Sequence, residues 1–139
     1  MTLKKYKEDF ILFAEAGFIA VNFADEDAAT KLFKAAELLD KHNVLPKLGF
    51  GYLHLHKLEL KQAIKYFDEV LEEDAHNDMA KAFKGLCLSL MPNNIEKGEK
   101  VLTQSLKSKD PLVKKMAGSA LDFVEKFVKK VPGPAGKAK

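Results

Sequence analysis

Gly17, Gly51 and Gly85 stand 34 residues apart, and the same shift lays Ala63 on Ala29 and Phe67 on Phe33. The clearest unit is residues 44–77, VLPKLGFGYLHLHKLELKQAIKYFDEVLEEDAHN. Its early glycine, middle alanine and later aromatic fall where the two helices of a hairpin approach most closely. Repetition at such a period restricts a chain to stacked supersecondary units, because one unit alone cannot bury its apolar face. The expected fold is therefore all-α. Three helical hairpins over about residues 10–43, 44–77 and 78–111 form an α-solenoid, closed by a capping helix over 111–130. These make a single domain over 1–130, and VPGPAGKAK (131–139) is expected to be a disordered tail.

Apolar spacing fills in the helices. Phe10, Ile11, Phe13, Ala14, Phe18 and Val21 predict a first helix from Lys5 to Phe23. Asp25, Glu26 and Asp27 suit the positive N-terminal end of the next helix, which buries Ala28, Ala29, Leu32, Phe33, Ala36 and Leu39. In the second hairpin, Leu45, Leu48, Tyr52 and Leu55 share one face, and Phe50, Leu53 and Leu58 cover another. A helix apolar on two faces is covered on two sides. The third hairpin departs from the pattern. Its turn at Asn93-Asn94 is one residue longer, Gly98 replaces the alanine and Leu102 replaces the phenylalanine. Asp110-Pro111 then starts the capping helix, with Leu112, Val113, Met116, Ala117, Ala120, Leu121, Val124, Phe127 and Val128 inward.

Composition excludes several functions. All 23 basic residues are lysine, and without arginine the usual bidentate reader of phosphate and guanine is missing. Nucleic acid is not an expected partner. From Pro111 onward seven lysines face only Asp122 and Glu125, a basic end read chiefly as solvation. No run approaches the roughly 20 apolar residues that cross a bilayer, and the N-terminal stretch is not expected to be a signal peptide. One cysteine, Cys87, forms no internal disulfide, as suits a reducing cytoplasm.

No residue set carries catalysis. His54 and His56 stand two apart on a helix and point to different sides, and His42 and His76 sit at helix ends. Cys87 lies among leucines, where a buried inert thiol is expected. There is no phosphate loop or nucleophile elbow. The chain is expected to be a binding protein rather than an enzyme, with no metal and no cofactor.

The 34-residue pattern resembles the tetratricopeptide repeat, giving three tetratricopeptide-like hairpins. In such repeats the first helix of each hairpin lines a concave groove. Its lining here would be Ile11, Ala14, Phe18 and Val21, then Leu45, Leu48, Tyr52 and Leu55, then Met79, Ala82, Leu86 and Ser89, with Asn22 nearby. So apolar a groove suits an amphipathic helix and disfavours the acidic peptides that other tetratricopeptide domains hold with basic side chains. EAGFIAVNFADEDAATKLFKAAELL followed by LGFGYLHLHKLELKQAIKYFDEVL is similar to the first two repeats of the bacterial chaperones of the type III secretion needle subunit. That resemblance implies a cytoplasmic protein that sequesters the needle subunit's C-terminal helix and prevents premature polymerisation. It also implies a small helical-hairpin co-chaperone against the amino-terminal part, and hence a hetero-oligomer. The alternatives are the related chaperones of type III translocator proteins, which bind an extended peptide, and a generic tetratricopeptide scaffold or membrane adaptor.

Overall fold

The structure is a computed structural model that describes the backbone of residues 3–130 and the side chains of 6–130; the expected disordered tail lies outside the described residues. Among these residues there are seven α-helices and no strand. They are α1 (Phe10–Asn22), α2 (Glu26–Leu39), α3 (Leu45–His56), α4 (Leu60–Glu73), α5 (Asp78–Ser89), α6 (Ile95–Ser105) and α7 (Pro111–Phe123). The all-α expectation holds. The first helix is shorter than its apolar pattern implied, because Leu3–Asp9 forms 3-10 turns instead. Lys4, Lys5 and Lys7 would place cations at the positive end of the helix dipole.

The chain divides into two compact units at Ala75/His76. In the first unit, α1 packs on α2 and α3, and α3 packs on α2 and α4. Phe33 of α2 is its centre and is fully buried. A Cβ added to Gly17 of α1 would lie 2.5 Å from the Phe33 ring, and one on Gly49 of α3 would strike the same ring. Gly51 stands in the same relation to Phe67 of α4. The repeated glycine is thus the surface on which the repeated phenylalanine lies.

The turns of the first unit repeat as well. Ala24 and Leu58, again 34 apart, take left-handed φ angles of 60° and 59°. Each ends its helix in the same bond pattern. The Ala24 N–H donates to Val21 O at 2.9 Å and the Asp25 N–H to Ala20 O at 2.8 Å, while Leu58 and Glu59 donate to Leu55 O and His54 O at 2.9 Å each. This double bond to the preceding turn is the Schellman closure, which satisfies carbonyls that a helix end leaves open. Asp25 then caps α2 by accepting from the Ala28 N–H at 3.0 Å. Leu58, expected on an inward face, is 71% exposed. Its place in the turn turns its side chain outward.

In the second unit α5, α6 and α7 pack on one another. Asn77 caps α5 through the Ala80 N–H at 2.9 Å, and Asp110 caps α7 through the Leu112 N–H at 2.9 Å. Pro92–Asn94 forms a 3-10 turn between α5 and α6. Pro92 stands 34 residues after Leu58. Its ring fixes φ near −65° and removes the N–H, so neither the left-handed turn nor its first hydrogen bond can form there. This is why the third hairpin needs its extra residue. Leu102, Ala117 and Ala120 form the core, with Leu86, Met116 and Leu121 against it. α7 continues through a π turn, Val124–Val128, closed by the Lys129 N–H donating to Val124 O at 3.0 Å. Two residues expected inward on this helix, Leu112 and Phe127, are exposed. The stripe that packs against α5 and α6 is too narrow to cover them.

Candidate protein-binding surfaces

The side chains that the sequence assigns to a groove divide by depth. In the first unit Ala14, Val21, Leu48 and Leu55 are buried, Phe18, Leu45 and Tyr52 are half-buried, and Ile11 and Asn22 are exposed. In the second unit Ala82 and Ser89 are buried, and Met79 and Leu86 are half-buried. Small residues and those one step round the helix face inward to the neighbouring helices. The larger ones at the same register reach the surface.

The structure brings three of the half-buried and exposed groups together on α1 and α3, with His56 beside them. The rings of Phe18 and Tyr52 lie 5.4 Å apart, the Tyr52 hydroxyl donates to Asn22 Oδ1 at 2.6 Å, and His56 sits edge-on to Tyr52 at 4.5 Å. Burial pushes the Tyr52 hydroxyl above its ordinary pKa, partly offset by the bond to Asn22. Desolvation lowers His56 below the usual histidine value, so its ring is neutral at neutral pH. Phe18 meets Phe33 at 5.2 Å, Phe33 meets Phe50 at 5.4 Å, and Phe50 meets Tyr66 at 5.7 Å. A continuous row of rings therefore ties α1, α2, α3 and α4, and at edge-to-face geometry such contacts add to simple burial. His54 ends the row, stacked on Tyr66 at 5.4 Å, with its Nδ1 2.7 Å from Glu59 Oε1.

A second surface escaped the sequence reading. On the solvent side of α1, Leu12, Ala16, Ile19 and Phe23 recur at intervals of four, three and four residues. Leu12 is 60% exposed, Ile19 55% and Phe23 80%, with Ala16 half-buried between them. A 4–3–4 seam of this kind is what one helix offers to a partner helix. The signal is present in FILFAEAGFIAVNF, which is apolar on every side but the stripe of Glu15 and Asn22. Periodicity registered the inward stripe and left the outer one unassigned.

Among the described residues no group of three or more His, Cys, Asp or Glu side chains is placed to hold a metal ion. Cys87 is fully buried, and burial pushes its thiol up to about 12. No helix among the described residues is long and apolar enough to cross a membrane. Comparison with protein-family models, with characterised proteins and with solved structures gives no match for this chain.

Proposed function

We propose that this chain is a tetratricopeptide-like scaffold that sequesters an apolar helix of a self-assembling protein, in the manner of the cytoplasmic chaperones of the type III secretion needle subunit. The observation that carries the reading is α1, apolar on its solvent side as well as its inner side. The 34-residue recurrence of glycine against phenylalanine and of the left-handed turn supports the repeat assignment. The Phe18–Tyr52 face would receive the partner's amphipathic helix, with Ile11 and Leu45 at its edges. The Leu12–Ala16–Ile19–Phe23 seam would receive a small helical co-chaperone. Two apolar surfaces on one short chain favour a protein that works inside a hetero-oligomer, since exposed apolar patches otherwise promote aggregation.

The test is capture of partners from the native host with mass identification, then light scattering of the purified complex. A small secreted helical protein at one-to-one, with or without a second small chaperone, is the expected result. Tyr52→Asp removes a central aromatic anchor and should weaken capture of the secreted protein by more than about thirtyfold, the usual hot-spot scale. Leu48→Asp buries an unpaired charge and reports on folding instead. Undiminished capture by folded Tyr52→Asp, or a lone monomer without partners, would overturn the reading.

A further inference from the structure

The two units carry opposite charge. Residues 1–75 hold ten lysines and fourteen acids, whereas 76–139 hold thirteen lysines and six acids. In the second unit the exposed side of α7 and its π turn carries an apolar row. Leu112 is 68% exposed, Phe123 47% and Phe127 56%, with half-buried Met116 between Leu112 and Phe123. The Phe123 and Phe127 rings lie 5.3 Å apart.

Each exposed apolar residue has a lysine three positions later: Lys115 after Leu112, Lys126 after Phe123 and Lys130 after Phe127. Residues three apart are neighbours on a helical surface. Lys115 and Lys130 pair with no carboxylate among the described residues, and Lys126 meets only the exposed Asp122 at 3.4 Å. Lys129, by contrast, points back to Glu99 of α6 and to Glu125 at 3.3 and 3.1 Å. Two unpaired lysines and one held only by an exposed neighbour therefore follow the apolar row.

We propose that this face docks the protein on an anionic bilayer surface, with Phe123 and Phe127 entering the interface and Lys115, Lys126 and Lys130 meeting lipid headgroups. Amphipathic helices with aromatic and aliphatic residues on one side and lysines along its edge bind in this way. The charge excess of the second unit selects an anionic surface over a neutral one, and three lysines with two phenylalanines supply the two signals that reversible anchoring requires. This face belongs to α7 and its π turn, whereas the faces assigned to protein partners belong to α1 and α3.

The experiment is co-sedimentation of the full chain with vesicles of phosphatidylcholine alone or mixed with phosphatidylserine, at low and high salt. Binding is expected only to the mixed vesicles and should fall steeply with salt. Lys115→Gln with Lys130→Gln should weaken it about thirtyfold, at about fivefold per lysine. Phe123→Ser with Phe127→Ser should weaken it at least about tenfold, with an unchanged helical circular dichroism spectrum. Failure to bind the anionic vesicles, or binding unchanged in the phenylalanine variant, would overturn the proposal. So would a wild-type dimer in light scattering that the phenylalanine variant abolishes, because the face would then belong to a second copy of the chain.

Discussion

Hairpins α1–α2 and α3–α4 close with a glycine on the first helix facing a phenylalanine on the second, whereas hairpin α5–α6 closes with glycine on both. In the third hairpin the phenylalanine is gone: Gly85 faces Val101 and Leu102, and a Cβ on Gly98 would strike the Ser89 side chain and backbone nitrogen and lie 2.6 Å from Gly85 O. The Ser89 hydroxyl already donates to Gly85 O at 2.9 Å. A ring as spacer in the first unit is thus exchanged for backbone lying nearly on backbone in the second. Hairpins that differ by one residue adopt the two solutions, and the two respond differently to substitution.

The largest effect is expected at the shared ring. Phe33→Ala would empty the space between Gly17 and Gly49 and should cost about 3–5 kcal/mol, the range for deleting a buried aromatic. Urea unfolding followed by circular dichroism measures it. A loss below about 1 kcal/mol would mean that α1 and α3 collapse onto α2, and that the ring is no true spacer.

Gly98→Ala sharpens the contrast. Its methyl meets backbone that cannot turn aside, so overpacking of about 2–3 kcal/mol should outweigh the gain of about 1 kcal/mol from replacing a helical glycine. Gly85→Ala meets side chains alone, Val101 at 2.9 Å and Leu102 at 3.3 Å, and should come out close to neutral. Equal stabilities for the two variants would remove the distinction between side-chain and backbone spacing. Cys87, buried in α5, supplies an independent readout for this unit. With its thiol pushed up to about 12, it should resist alkylation at pH 8 in the native protein and react once unfolded, because the thiolate is the nucleophile. Gly98→Ala should raise the native rate. A raised thiol pKa favours the folded protein below the ordinary thiol value of 9.0, and that contribution is lost as pH rises from there through about 12.

Much of this architecture was legible because close packing leaves a compositional trace. Only glycine fits where Gly17, Gly49 and Gly51 meet aromatic rings, and the burial of Cys87 followed from its leucine neighbours. The extra residue after Pro92 was legible too, although its cause, a proline where the turn needs an N–H and a positive φ, required the backbone. The surfaces were not legible. An apolar residue at helical spacing reads the same whether a neighbour covers it or not, so Leu112 and Phe127 were placed inside and the seam of Leu12, Ile19 and Phe23 was passed over. Long polar reaches, such as Lys57 to Glu26 at 2.8 Å and His54 to Glu59 at 2.7 Å, depend on turn geometry that sequence spacing does not encode.

The smallest effect lies in those turns and has the opposite sign. Ala24 and Leu58 hold left-handed conformations that cost a non-glycine residue roughly 1–2 kcal/mol, set against the greater chain entropy a glycine loses on folding. Leu58→Gly and Ala24→Gly should therefore each stabilise the first unit by about 0.5–1 kcal/mol. Leu58 contributes little burial to lose, since its side chain is largely in solvent. Pro92→Gly tests the same logic in the second unit. Glycine would restore both the N–H and access to the left-handed φ, but the extra residue in that turn now has no place in a Schellman closure. Pro92→Gly should therefore destabilise slightly through added freedom of the unfolded chain, while deleting one residue together with it should recover the loss. If Pro92→Gly alone stabilised the protein as much as Leu58→Gly, the longer turn would owe nothing to the proline, and the third hairpin would differ from the first two for reasons set elsewhere in α5 and α6.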